Sequence, residues 1–132
     1  MSTDGDVGKG HGNTDAWVVK LDAAGKMVWQ KCYGGSGFDQ GVAIVETADG
    51  GLVFAATTSS KDGDVVGNHG RTDVWVVKVD RTGTLLWQKC IGGTGSDSVN
   101  SLQKTSDGGF VVAGLTTSND GDVKGNHGER DI

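Results

Sequence analysis

"AWVVKLDAAGKMVWQKCYGGSGFDQGVAIVETADGGLVFAATTSS", residues 16–60, decides the fold, because glycine-containing turns divide it into four segments of strand length. The segments span 16–22, 26–33, 41–48 and 52–60, and they are rich in valine, tryptophan and other residues that favour strands. The Asp-Gly-Gly before the fourth segment supplies the glycine that a tight hairpin needs. The stretch therefore predicts four short antiparallel strands joined as a meander.

The same stretch recurs later in the chain. Asp-Gly-Asp-Val begins at residues 4, 62 and 120, and Trp-Gln-Lys-Cys ends at Cys32 and Cys90, so each step is 58 residues. The second copy places strands at 74–80, 84–91, 99–106 and 110–118. The 132-residue chain also contains 24 glycines, no proline and few helix signals, so we predict an all-β protein.

A four-stranded antiparallel meander that repeats in tandem is typical of β-propeller blades. One blade is apolar on both faces, so it is stable only when it packs against neighbouring blades. Two blades cannot close a ring, because propellers contain roughly four to eight. We therefore expect each chain to supply two blades and to complete a ring by homo-oligomerisation, with about three or four chains associating head-to-tail. The alternative is a piece of a longer repeat protein, which the abrupt end at Ile132 favours.

The predicted organisation follows the repeat. Blades are expected at 16–60 and 74–118, and inter-blade loops at 1–15, 61–73 and 119–132, the last of which includes the start of a truncated next strand. In this interpretation, the middle loop carries the chain from the last strand of one blade to the first strand of the next.

Charge and composition exclude several classes of function. The chain has 17 acidic and 12 basic residues, a net charge of -5 and no basic run, so a nucleic-acid partner is not expected. No apolar run approaches the roughly 20 residues of a membrane helix. Residues 1–15 lack the basic and apolar regions of a signal peptide, so any export signal lies outside this chain. Cys32 and Cys90 occupy equivalent repeat positions, which predicts free thiols.

Residues 17–70 resemble the tandem β-propeller repeats of large secreted or surface-attached bacterial proteins. Two further phrases, Asp22-x-x-Gly25-x-x-x-Trp29 and its copy ending at Trp87, are similar to the tryptophan-docking motif of quinoprotein-type propellers. The resemblance implies a propeller fold and an extracellular or cell-surface location, but no reaction. It also implies that Trp29 and Trp87 pack between neighbouring sheets. The repeat is longer than a quinoprotein blade, and the chain contains no recognisable quinone site.

The twelve residues "DGDVVGNHGRTD", 62–73, have the layout of a calcium loop, with carboxylates at positions 1, 3 and 12 and glycine at position 6. The match is partial, because position 5 is Val66 and position 12 is aspartate. The alternative is that these side chains bond backbone amides in turns, with Asp15, Asp73 and Asp131 fixing the entrance of the first strand. Candidate calcium ligands are Asp62, Asp64, Asn68, Asp73, Asp120, Asp122, Asn126 and Asp131, with weaker candidates in Asp4, Asp6 and Asp15.

Other repeated residues have structural interpretations. A histidine occupies position 8 of each loop, where a hydrogen-bonding role is favoured because zinc needs three or four ligands together. Asp39 and Asp97 follow the Gly-Gly-Ser/Thr-Gly segments, where a carboxylate can tie a loop to its blade. Tryptophans fall in the predicted strands, and core packing explains them better than sugar stacking. The residues concerned are His11, His69, His127, Trp17, Trp29, Trp75 and Trp87.

Enzymatic function is not expected. The chain has no nucleophile elbow and no phosphate-binding loop, and repetition distributes identical residues evenly instead of gathering them in one site. We predict a non-enzymatic propeller module that acts as a self-assembling scaffold, with calcium as its only candidate cofactor. The alternatives are a lectin-like module that recognises carbohydrate or protein, and a fragment of a quinoprotein-like enzyme.

Overall fold

A computed structural model of the protein describes Gly5 and residues 9–128. This part of the chain contains eight β-strands and no helix, and therefore no helix that could cross a membrane. The strands are β1 (Ala16–Leu21), β2 (Met27–Tyr33), β3 (Asp39–Glu46), β4 (Leu52–Thr58), β5 (Asp73–Val79), β6 (Leu85–Ile91), β7 (Asp97–Lys104) and β8 (Phe110–Thr116). All pairs between them are antiparallel, which confirms the all-β prediction.

The strands form three sheets. The order is β1-β2 in the first, β3-β4-β5-β6 in the second and β7-β8 in the third. Tight turns join β1 to β2, β3 to β4, β5 to β6 and β7 to β8, whereas a longer loop joins β4 to β5. Gly50, with φ at 82°, supplies the left-handed residue between β3 and β4. Only the second sheet has four strands in the described part of the chain.

The grouping of strands differs from the sequence-based prediction. We expected β1 to β4 in one blade, with 61–73 as an inter-blade loop, but β4 and β5 are neighbours in one sheet. They pair along their whole length, from Leu52 with Val79 to Thr58 with Asp73. The loop 61–73 therefore connects two neighbouring strands of the same sheet. The chain passes between sheets at the glycine-rich segments after β2 and β6.

The second sheet is buried on both faces by the other two. Phe54, Trp75 and Val77 belong to a core cluster with Ala16 and Tyr33 of the first sheet. Alternate residues of β4 and β5 belong to a second cluster, with Val99 and Leu102 of the third sheet. Because side chains alternate between the faces of a strand, the three sheets are stacked with the four-stranded sheet in the middle.

Candidate functional site

The loop between β4 and β5 folds back onto the glycine-rich segment after β2. Asp62 Oδ1 accepts a hydrogen bond from the Ser36 amide at 2.7 Å, and Asp64 Oδ2 accepts one from the Gly34 amide at 3.1 Å. Hydrogen bonds from Ser36 lower the pKa of the Asp62 carboxyl. A Cβ at Gly35 would lie only 2.3 Å from the Asp62 carbonyl oxygen, so this close approach requires glycine. These carboxylates fasten the crossing between two sheets.

The loop after β8 makes the same contacts with the segment after β6. Asp120 accepts hydrogen bonds from the Thr94 amide and hydroxyl, both at 2.8 Å, and Asp122 accepts one from the Gly92 amide at 3.3 Å. Hydrogen bonds from Thr94 lower the pKa of the Asp120 carboxyl. The same geometry at both places indicates that the repeat itself encodes it.

Asp39 and Asp97 are buried at the start of β3 and β7. Asp39 accepts hydrogen bonds from the Gly35 amide at 2.9 Å, the Ser60 hydroxyl at 2.7 Å and the Thr58 hydroxyl. The corresponding donors to Asp97 are Gly93, Ser118 and Thr116. Each carboxylate thus connects a glycine-rich segment to the end of the neighbouring strand in its sheet.

Two of the loop histidines pair with the aspartate four residues later. His69 donates from its amide to Asp73 Oδ2 at 3.1 Å, and its Nδ1 lies 2.6 Å from the same oxygen. This contact raises the pKa of His69, with smaller contributions from the charges of Asp73, Asp122 and Asp97. His11 makes the same pair of contacts with its own aspartate. The second carboxylate oxygen of Asp73 is buried with no donor among the described residues.

The candidate calcium ligands do not converge on one point. Asn68 donates to the Ser60 carbonyl and accepts from the Gly70 amide, both at 2.9 Å, and Asn126 makes the equivalent contacts. Asp62 and Asp64 accept hydrogen bonds from the glycine-rich segment, and Asp73 accepts one from His69. Each side chain therefore has its own protein partner. No group of three metal-ligating side chains occurs in residues 9–128. The donor set therefore does not fit calcium here, and calcium binding stays a prediction.

Three of the predicted ligands cannot be placed. Asp4, Asp6 and Asp131 lie outside the described residues. Asp15, the remaining weak candidate, has no exposed side-chain surface and accepts the His11 amide at 2.6 Å. Asp15 thus lies directly before β1, at the position equivalent to Asp73 at the start of β5.

Equivalent tryptophans have very different surroundings. Trp75 is fully buried and donates from Nε1 to the Gln88 side chain at 2.7 Å, whereas Trp17 makes the same contact with Gln30 at 3.0 Å but is 48% exposed. Trp29 donates to the Arg81 carbonyl of the next sheet at 3.0 Å. Its counterpart Trp87 is 43% exposed. Trp29 thus packs between sheets. Trp17 lies on the outer β1–β2 sheet, whereas Trp87 lies on β6 at the edge of the four-stranded sheet, with its ring centroid 6.5 Å from that of Phe110 in the third sheet.

The two outer sheets each have a strand edge with no partner among the described strands. β1 pairs only with β2, and β8 pairs only with β7. Beside the free edge of β8 lies an open cleft of about 540 Å³, lined by Gly114, Thr116 and residues 123–127. This cleft and the two edges were not predicted from the sequence.

A lysine within an apolar strand binds the turn of the neighbouring hairpin. Lys78 of β5 donates to Asp49 at 2.9 Å and to the Thr47 hydroxyl, and its side chain is 9% exposed. Hydrogen bonds from Thr47 and then Lys78 lower the pKa of Asp49. Lys20 is the equivalent residue of β1 and is exposed. A lysine in an otherwise apolar strand is a sequence signal that could have revealed this contact.

The cysteines carry no evident chemistry. Cys32 and Cys90 are buried, and they form no disulfide with each other, as their equivalent repeat positions predicted. Burial raises the pKa of Cys90 to about 12, which keeps the thiol protonated and unreactive at neutral pH.

Comparison with known proteins assigns no family. No family model matches the sequence, and no curated protein matches it either.

Proposed function

We propose that the protein is a non-enzymatic β-propeller repeat module, which acts as a scaffold by assembling with further copies of itself. The observation that carries this proposal is the contrast between the sheets. The two middle strands of the four-stranded sheet, β4 and β5, are almost wholly buried, whereas the two-stranded sheets expose Trp17, Leu21 and Val111 at 48%, 49% and 52%. Exposed apolar side chains on both outer sheets favour further stacking.

The repeat supports a ring of stacked blades as the end point. Each chain supplies one complete sheet and two half-sheets, so head-to-tail association adds two blades per chain. About three or four chains would then give a ring within the roughly four to eight blades that propellers use.

The carboxylates support a structural rather than an enzymatic role. Asp39 and Asp97 are buried and hold backbone and hydroxyl donors in place, and the loop carboxylates hold the glycine-rich segments. These carboxylates already accept hydrogen bonds in both copies of the repeat. We also propose an extracellular or cell-surface location, which rests on the resemblance to secreted repeat proteins.

Carbohydrate recognition is the competing function, and exposed Trp17 and Trp87 are the observation that favours it. Aromatic side chains at a surface offer stacking faces. However, their counterparts Trp75 and Trp29 are used in packing and in contact between sheets. The same residues therefore have a sufficient explanation in assembly.

Native mass tests the proposal. Light scattering at micromolar concentration should show a discrete oligomer of about three or four chains, in accord with the blade number of known propellers. A folded monomer at that concentration would overturn it. Binding of the monomer on a glycan array would then favour the carbohydrate function instead.

A further inference from the structure

We propose that the β1–β2 hairpin of one copy completes the β7–β8 sheet of a second copy, by antiparallel pairing of β1 with β8. This inference rests on the proposed self-assembly and specifies where and in which register it occurs. Each copy offers one hairpin and one acceptor edge, so the interface is head-to-tail.

The pairing of β4 with β5 within the chain is the template for the interface. β8 is the repeat equivalent of β4, and β1 is the equivalent of β5, so both halves of a pair already formed in the chain recur with free edges. Moving the β4–β5 register by one repeat gives the expected pairs. They are Phe110 with Leu21, Val111 with Lys20, Val112 with Val19, Ala113 with Val18, Gly114 with Trp17, Leu115 with Ala16 and Thr116 with Asp15.

The cleft beside β8 is the place for Trp17 of the second copy. At the equivalent place in the second sheet, Ala56 pairs with Trp75, which lies in one core cluster with Val65. Gly114 and Val123 are the equivalents that line the open cleft. The side chain of Trp17 already has the arrangement that this place requires, because its indole donates to Gln30 as the indole of Trp75 donates to its own glutamine.

Charge complementarity favours the same register. The turn between β7 and β8 repeats the turn that binds Lys78, because the Thr105 hydroxyl and the Gly109 amide both donate to Asp107 Oδ1. The Thr105 hydrogen bond lowers the pKa of Asp107 and keeps the carboxylate charged. In the proposed register, exposed Lys20 of the second copy would reach this turn as Lys78 reaches Asp49 and Thr47.

A third contact is expected at the hairpin turn. Trp29 donates to the Arg81 carbonyl in the β5–β6 hairpin, whose repeat equivalent in the β1–β2 hairpin is Ala23. The partly exposed Trp87 would therefore donate to the Ala23 carbonyl of the second copy. One placement of the hairpin thus pairs the free edge of β8 and fills the cleft. It also brings a lysine to the charged turn and a carbonyl acceptor to the exposed indole.

The free edges of β1 and β8 in one copy cannot meet each other. The β1–β2 and β7–β8 sheets contact opposite faces of the four-stranded sheet. Packed sheets lie about 10 Å apart, so the intervening sheet separates β1 from β8 by about two such spacings. The strand that pairs with β8 therefore cannot be β1 of the same copy.

Disulfide trapping tests the register. In a Cys32→Ala/Cys90→Ala background, Val18→Cys and Ala113→Cys are introduced into the same chain. Mild oxidation should give a ladder of covalent multimers on a non-reducing gel, which collapses to the monomer with reductant. The repeat offers a matched positive control, Ala55→Cys with Val76→Cys, which should form the same disulfide within one chain because these residues are paired.

A slipped pair supplies the negative control. Val19→Cys with Ala113→Cys should give no ladder, since neighbouring residues of a strand point to opposite faces. Hydrogen exchange adds a measurement that needs no disulfide: in the assembled parent chain, amides of β1 and β8 should exchange as slowly as those of β4 and β5.

The outcomes separate this inference from the proposed function. A ladder from the registered pair alone, with slow exchange along β1 and β8, supports the pairing. An oligomer in which the slipped pair crosslinks, or in which β1 and β8 exchange fast, overturns the pairing while self-assembly stands. A parent chain that remains a folded monomer by light scattering overturns the proposed function and this inference with it.

Discussion

Trp75 and Trp17 occupy the same position of the repeat, yet the first is fully buried in the four-stranded sheet and the second is 48% exposed on a two-stranded one. Both donate to a glutamine on the neighbouring strand. The hairpin that carries the tryptophan is therefore a self-contained unit, and its burial is decided by the neighbouring strands. Local sequence fixes the hairpin, and the presence of a partner sheet fixes how much apolar surface remains in water.

The largest difference between the two regions is expected from truncating these tryptophans. Trp75→Ala should lower the free energy of unfolding by about 3–5 kcal/mol, because it removes a large buried ring. Trp17→Ala, measured at a dilution where the protein is monomeric, should cost less than about 1 kcal/mol but prevent association. Denaturant melts and light scattering check the two parts. Equal losses of stability would contradict the contrast between the sheets.

The next effect is expected at the buried carboxylates. Asp39→Ala should destabilise the protein by about 1–3 kcal/mol, because it leaves buried donors of the four-stranded sheet unpaired. Asp97→Ala is the matched variant in an outer sheet, where local opening of β7 and β8 relieves part of the same loss. Chemical denaturation of both variants in parallel measures the two losses of stability. A larger loss for Asp97→Ala than for Asp39→Ala would contradict the expected order.

A smaller effect is expected at the turn between β7 and β8, where Asp107 would pair with Lys20 of a second copy. Asp107→Lys should weaken association by about two- to fivefold, since an exposed ion pair contributes roughly 0.5–1 kcal/mol. Combining it with Lys20→Asp in the same chain should restore the affinity, because the pair is then reversed. Concentration-dependent light scattering measures both. Failure of the double variant to recover would exclude this ion pair from the interface.

Stability should depend weakly on pH through His69. Its pKa is higher in the folded state, mainly because of the Asp73 hydrogen bond, so its contribution is fully present below the unfolded value of about 6.5. The contribution is then lost as the pH rises through the higher folded pKa. The side chain is 38% exposed, so the change should stay below about 1 kcal/mol. Melting curves from pH 5 to 9 should show this slope in the parent and less of it in His69→Gln.

The smallest effect is expected from metal removal. EDTA should leave the melting temperature of the protein unchanged, because the carboxylates of the β4–β5 loop already accept hydrogen bonds from amides. A fall in melting temperature that added calcium reverses would support the calcium hypothesis for both loops.

The strands could be predicted from the sequence, but their grouping into sheets could not. The repeated turn signals placed every strand within two residues of its observed start and end. The repeat fixes only the spacing of strands, so a sheet of β1 to β4 and one of β3 to β6 fit it equally well. Loop length favoured the first grouping, since hairpin loops usually have about two to five residues. The longer β4–β5 connection is held by Asp62 and Asp64, whose partners lie 26 and 30 residues away in sequence, and by Asn68, which bonds the Ser60 carbonyl within the same connection.

The candidate site was predictable in part for the same reason. Asp62, Asp64 and Asp73 were identified by their spacing, but spacing alone does not show that the three carboxylates have separate partners. Lys78 and its turn were missed because the lysine is read as an exposed residue until β4 and β5 are known to be adjacent.

The crossing of the chain between sheets has a consequence for how such a gene can change. The four-stranded sheet takes two strands from one 58-residue repeat and two from the next. A recombination that inserts or deletes one repeat unit rejoins the same two halves, so the new junction encodes a sheet of the kind already present. Copy number can therefore drift by unequal crossing-over without any sheet having to evolve a new strand pairing.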